Sequence, residues 1–303
     1  MEKIHILLFY KFVPISNIEV FAEKHLEICK SIGLFGKVLV ANEGINGSIS
    51  GTKTQTEKYK SFLKGISEFS DIIFKEEVGV LHPFEKMAVR TKKEIIRLDE
   101  EIDMNKKGKY LSPKEFLELY ENKEDVIILD ARNDYETKAG RFKNALTPGI
   151  KTFRQFPKAA EMLRDKKDKK IVLYCTGGIR CEKASAYLIG NGFNDVSQLE
   201  GGIITFCQKF PKTVWEGRCF VFDKRLISGV DSESEAITKC QYCSKPCDLY
   251  RNCKIAGCNV LFNLCKKCEK DSLGCCSKEC FDEYKNFLLE KAMINMGRRK
   301  VLN

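Results

Sequence analysis

Lys170-Ile-Val-Leu-Tyr-Cys-Thr-Gly-Gly-Ile-Arg-Cys-Glu-Lys183, KIVLYCTGGIRCEK, decides how the middle of this 303-residue chain folds. Its apolar run reads as a buried strand ending at Cys175. Gly177 and Gly178 then let the backbone curl, and a helix begins near Cys181. The same alternation extends both ways. LSPKEFLELYEN is a helix capped by Ser112, with Pro113 at its first position. The strand DVIILDAR, a loop through TPGIKTF and the helix QFPKAAEMLRD lead to the quoted strand. The helix CEKASAYLIGNG and the strand DVSQLEGG follow it. Apolar strands alternating with helices predict a parallel sheet covered on both faces.

Open parallel sheets bind ligands at the carboxyl ends of their strands, where Cys175 lies. The loop Thr176, Gly177, Gly178, Ile179 can converge its N–H groups on one point, a nest for an anion beside a helix N-terminus. A thiolate held there is stabilised, and its pKa falls from about 8.5 toward ~3.5–7.5. Arg180 is expected to add a positive charge at the loop rim, and Cys181 sits at the helix start. A lone cysteine at a strand end is ordinarily a small buried hydrophobe; the flanking glycines, arginine and helix entry reverse that expectation. Cysteine phosphatases need a loop one residue longer between cysteine and arginine. The shorter loop, Thr176 to Ile179, suits the outer sulfur of a persulfide.

Upstream, KIHILLFYKF, NIEVFAEKHLEICKSIG, GKVLVANEG, INGSISG, TQTEKYKSFLKGISEF and DIIFKEEVG read as βαββαβ, a ferredoxin-like sandwich. Asn42, Asn46 and Ser48 read as turn formers rather than RNA contacts. The glycines here do not fit G-x-G-x-x-G, and no flavin or nicotinamide signature is visible. The three histidines, His5, His25 and His82, argue against a histidine triad.

Downstream, ten of the fifteen cysteines fall between Cys240 and Cys280. Two residues separate Cys240 from Cys243 and Cys265 from Cys268; Cys253 and Cys258, and Cys276 and Cys280, form two further pairs. Eight thiolates in four pairs predict two structural zinc sites, with 240/243 joining 265/268 and 253/258 joining 276/280. Cys247 and Cys275 are left over, either able to displace a neighbour in this scheme, and an iron–sulfur cluster is the alternative. The chain ends in an amphipathic helix with Arg298, Arg299 and Lys300.

Net charge is +10: +1 over residues 1–90, +3 over 91–204 and +6 over 205–303. A basic surplus of this kind attracts polyanions, although two four-thiolate zinc sites would remove much of the charge from the tail. No apolar run approaches the roughly 20 residues that span a bilayer, so a cytoplasmic protein without membrane contact is expected.

The segment from about Tyr110 to Phe210 resembles the rhodanese domain. DARNDYE is similar to that family's segment of aspartate, arginine and glutamate, from which an Arg132–Glu136 pair is expected. ANEGINGSISG, RNDYE with GIKTFRQFP, and CTGGIRCEKASAYL together resemble the bacterial tRNA uridine hydroxylases over residues 1–210. The resemblance implies oxygen-dependent hydroxylation of the wobble uridine of tRNA to 5-hydroxyuridine, with molecular oxygen as co-substrate. It also implies that Cys175 is the essential cysteine, as persulfide or thiolate, with Arg180 beside it. The alternatives are a plain sulfurtransferase served by a sulfur donor protein and a non-catalytic RNA-binding zinc protein. The expected organisation is α/β multidomain: a ferredoxin- or acylphosphatase-like domain (1–82), a linker (83–109), a rhodanese domain (110–212), a connector with a hairpin (213–238), and a zinc-binding module with a C-terminal helix (239–303).

Overall fold

The structure of the chain, a computed structural model, describes residues 3–231 and 234–301, with side chains to Lys291 and at Met293. The side chains of Arg298, Arg299 and Lys300 lie outside the described residues. The chain forms two compact units, Met1–Ser234 and Glu235–Asn303. No helix among the described residues is long and apolar enough to cross a membrane.

The first part of the larger unit runs β1 (Ile4–Phe12), α1 (Ile18–Ile32), β2 (Phe35–Ala41), β3 (Gly44–Gly51), α2 (Lys53–Lys64), β4 (Phe74–Gly79) and β5 (Met87–Thr91). The strands form one sheet in the order β4-β1-β3-β2-β5. Asn17 caps α1 by accepting from the Val20 N–H, and Thr52 and Gln55 form a capping box on α2. Strand alternation puts Leu7 and Phe9 of β1 under the two helices, with Val38, Val40, Ile45, Tyr59 and Leu63. Residues of the other parity, Leu8 and Tyr10, face away from the helices and meet the second part of the unit.

Two expectations are corrected here. The stretch read as a charged linker contributes β5, which runs parallel to β2, and buries Ile95 and Leu98. β5 is an edge strand held by backbone pairing, so its side chains, MAVRT, barely announce it. Asn46 and Ser48 are strand residues within β3 rather than turn formers, and Asn46 donates to the Ile95 carbonyl at 2.9 Å.

The second part runs β6 (Lys109–Leu111), α3 (Pro113–Glu121), β7 (Val126–Asp130), α4 (Asp134–Ala139), β8 (Gly140–Phe142), α5 (Pro157–Met162), β9 (Lys170–Tyr174), α6 (Ile179–Gly190), β10 (Asp195–Leu199), α7 (Gly202–Lys209) and β11 (Trp215–Gly217). Its sheet is parallel, in the order β6-β10-β9-β7. β9 is buried on both faces: Ile171, Leu173 and Cys175 join one core with α5 and α6, while Val172 and Tyr174 join the other with α3 and α7. The sequence reading stops at β10 and does not anticipate α7, because the glycines at its start hide the helical pattern. Beyond β11, which pairs with β8, the expected hairpin is a single antiparallel bridge between Phe220 and Ile227.

The smaller unit contains β12 (Tyr250–Asn252), β13 (Leu261–Asn263), α8 (Lys266–Asp271) and α9 (Lys278–Val301). Among the described residues its buried apolar side chains are few: Cys240, Cys247, Phe262 and Leu264 in one cluster, with Tyr250 and Cys275 also buried. That is too little to hold a domain of this length without another source of stability.

Candidate active site and cysteine clusters

β9 delivers Cys175 to the carboxyl edge of the parallel sheet, with its side chain fully buried. The loop closes over the sulfur, and the Gly178 N–H donates to Cys175 Sγ at 3.1 Å. Gly178 precedes α6 at φ +103°, a left-handed conformation that costs a residue with a Cβ. Gly202 serves a different need. A Cβ there would lie 2.4 Å from the Cys175 carbonyl oxygen, and its absence lets α7 dock on the loop, where the Ile203 N–H donates to that oxygen at 3.0 Å.

The electrostatics favour an anion. Burial raises the Cys175 pKa, but the Cys181 thiol donating to it, the Arg180 charge and the N–H groups of Arg180 and Cys181 together bring it down to about 5. Cys181 is the complement: burial and then its hydrogen bond to Cys175 push its thiol well above the usual range. It therefore remains a protonated donor.

Arg180 is not at the loop rim. It is buried, with Nη1 and Nη2 donating to the two Glu136 oxygens at 2.6 and 2.8 Å, and Nη2 also reaching Thr176 Oγ1 at 3.2 Å. A guanidinium withdrawn from water requires a partner, and Glu136 on α4 provides it. Glu136 is therefore unavailable to Arg132. The expected Arg132–Glu136 pair does not form; Arg132 folds back on Asp130, with Nε–Oδ1 at 2.9 Å and Nη2–Oδ2 at 2.7 Å. Tyr174 donates to the same carboxylate, so this cluster braces β7 against β9. Phe222, exposed on the hairpin, lies 5.8 Å from the Arg180 guanidinium.

The first part of the unit covers the loop. A Cβ on Gly177 would sit 2.9 Å from Leu8 Cδ2, and one on Gly178 would sit 2.7 Å from Tyr10 Oη. Tyr10 donates to Glu182 at 3.1 Å, and Glu182 also accepts from Lys107 and Tyr110. Lys183 is clamped by Glu43 and Glu94 at 2.8 and 2.6 Å. Sequence reasoning missed Leu8 and Tyr10, because no local motif marks residues that reach the loop through sheet packing.

In the smaller unit, Cys240, Cys243, Cys265 and Cys268 form one group and Cys253, Cys258, Cys276 and Cys280 another, the sulfurs of each lying within 4.8 Å of one another. Four sulfurs at about 2.3 Å from one tetrahedral ion stand about 3.8 Å apart. Cys243–Cys265, Cys276–Cys280 and Cys258–Cys280 are 3.8 Å apart and Cys258–Cys276 3.5 Å. Each group can thus hold a single metal ion, and the spacing leaves no room for an iron–sulfur cube. Cys247 packs in the small core and Cys275 is buried; neither belongs to a group.

A parallel sheet whose central strand carries a cysteine into an N–H-lined loop defines a rhodanese-like domain, joined here to an α+β sandwich and a cysteine-rich module. Residues 112–209 match the family described as rhodanese-like domain, residues 4–95 the UPF0176 acylphosphatase like domain, and residues 216–281 the rhodanase C-terminal family. A tRNA uridine(34) hydroxylase of Bacillus licheniformis is 46% identical over 286 residues, covering 91% of this chain and 87% of that protein. One of Staphylococcus carnosus is 44% identical over 301 residues, covering 96% and 93%. The chain belongs to the tRNA uridine(34) hydroxylase family.

Proposed function

We propose that this chain hydroxylates the wobble uridine of tRNA at C5, with Cys175 as the working residue and molecular oxygen as co-substrate. One oxygen atom enters the base, and the other leaves as water with two electrons from an external reductant. Family membership supports the reaction. The observation that carries the residue assignment is the Cys175 loop: a buried sulfur held as an anion by an N–H donor, a thiol donor and a nearby guanidinium. Such a sulfur is nucleophilic at neutral pH. As a thiolate it is competent to add to uridine C6, which makes C5 electron-rich; as a persulfide, loaded by a sulfur donor protein, it presents its outer sulfur in the same loop. Arg180, held by Glu136 and Thr176, keeps a fixed positive charge beside it. Thr176, Gly177, Gly178 and Ile179 form the loop, and Cys181 donates from the first turn of α6.

The eight clustered cysteines, in this reading, hold two structural zinc ions, whose binding supplies the folding free energy that the small core does not. Basic side chains, Lys254, Lys266 and Lys267 among them, contribute to gripping tRNA phosphates.

The test is nucleoside mass spectrometry of tRNA from cells lacking the protein, complemented with wild type or Cys175→Ser. Return of 5-hydroxyuridine with wild type alone supports the assignment. Its return with both removes Cys175 from the mechanism. No return with either, while thiosulfate sulfur transfer persists, replaces the hydroxylase with a sulfurtransferase.

A further inference from the structure

Lys75 is the anomaly of the larger unit. It lies in β4 directly opposite Leu8 of β1, and paired residues in an antiparallel sheet project from the same face. Leu8 and Tyr10 on that face abut Gly177 and Gly178 of the Cys175 loop. The Lys75 ammonium lies 5.3 Å from the centroid of the Tyr10 ring. Only 9% of Lys75 is exposed, and although its Nζ is not fully enclosed, among the described residues that ammonium makes no ion pair or hydrogen bond. The other deeply buried cations all have carboxylates: Arg132 has Asp130, Arg180 has Glu136, and Lys183 has Glu43 and Glu94.

An ammonium largely withdrawn from water, with an aromatic ring but no carboxylate beside it, is stabilised by any negative charge nearby. The anionic groups facing it are Cys175, Glu182 and Glu200. Glu182 is already shared by Lys107, Tyr10 and Tyr110. Around Cys175 itself stand Arg180 and Cys181 from α6 and Tyr10 from β1. Both oxygens of Glu136 engage the charge of Arg180, which leaves Lys75 as the cation without a carboxylate of its own.

We propose that Lys75 is a positioning residue of the Cys175 site, its ammonium carried in from the N-terminal sheet as the counter-charge for the anionic sulfur, thiolate or persulfide. The loop is then electrostatically complete only when the two parts of the larger unit are packed together. This rests on the reading of Cys175 as the reactive residue. Burial lowers the Lys75 pKa, and Cys175 heads the charges that draw it back up.

The test is the pH dependence of Cys175 alkylation by iodoacetamide in the full, zinc-loaded chain. It is read by mass spectrometry on the tryptic peptide from Ile171 to Arg180, which contains no other cysteine. A buried sulfur reacts slowly through rare openings. The midpoint of the rate profile still reports the resting state, because that state sets the fraction ionised. Lys75→Met is expected to raise the midpoint by about one pH unit, a roughly tenfold slower reaction below it, and Lys75→Arg to keep it near wild type. An unmoved midpoint in Lys75→Met overturns the proposal. So does an equal shift in both variants, which would assign the effect to packing. If Cys175→Ser chains still make 5-hydroxyuridine, the catalytic assignment fails while the midpoint result stands; an unmoved midpoint does the reverse.

Discussion

Replacing Glu136 by glutamine isolates the charge that holds Arg180. The carboxylate is fully buried, meets Nη1 and Nη2 of Arg180 at 2.6 and 2.8 Å, and accepts from the Asn133 N–H at 3.1 Å. Glutamine keeps the shape and one acceptor oxygen but leaves a buried guanidinium without its counter-ion. Breaking a buried pair from one side costs about 3–5 kcal/mol. The lower figure applies if Arg180 turns toward the Cys175 thiolate. At about 2–4 °C per kcal/mol for a unit of this length, the melting temperature should fall by about 6–20 °C in differential scanning calorimetry. Arg180→Met should cost a similar amount by stranding the carboxylate. The double variant Glu136→Gln/Arg180→Met should melt above both single variants, because it strands neither charge. A Glu136→Gln chain melting within about 2 °C of wild type, or a double variant losing the sum of the two, would refute the reasoning.

Other outcomes follow from the same geometry. The Cys175 pKa falls from 9.0 unfolded to about 5 folded, so the stability it contributes is complete above pH 9.0, declines as pH falls, and is gone below about 5. The melting difference between wild type and Cys175→Ser should therefore shrink from pH 9 to pH 5, and a constant difference would contradict the depressed pKa. Gly178→Ala places a Cβ at φ +103° and 2.7 Å from Tyr10 Oη. A loss of about 1–3 kcal/mol and of 5-hydroxyuridine is expected, measured by chemical denaturation and nucleoside analysis. Cys253→Ser should reduce bound zinc from two ions per chain to one in plasma emission spectrometry, whereas Cys247→Ala and Cys275→Ser should retain both.

What the sequence reveals and what it hides divide along the range of the interactions. The alternation in KIVLYC places β9 and its two cores, and Ser112-Pro113 marks the start of α3, because both are local. The pairing of cysteines 240/243 with 265/268 and 253/258 with 276/280 is legible because close spacing within each pair leaves few ways to surround an ion. The partner of Arg132 is not legible. Asp130 and Glu136 are both within its reach in the sequence, and only the position of Arg180 on α6 decides between them. Tyr10 reaches the loop through the packing of one sheet on another domain, and β4–β1 pairing sets Lys75 beside it, which no spacing records. β5 escapes for a related reason: its edge position buries little.

Thiolate character and exposure together set how fast a cysteine is lost to irreversible oxidation, and Cys175 has the first without the second. An ionised sulfur open to solvent would ordinarily be among the first groups oxidised. Leu8 and Tyr10, resting on the two glycines of the loop, shield it from bulk oxidants between turnovers. Reactivity and durability are thereby separated, the one assigned to the loop and the other to the sheet above it. On the proposed assignment of Cys175, a substrate base reaches the sulfur only after Leu8 and Tyr10 move off the loop, and covalent inhibitors are expected to act faster with tRNA bound than without it.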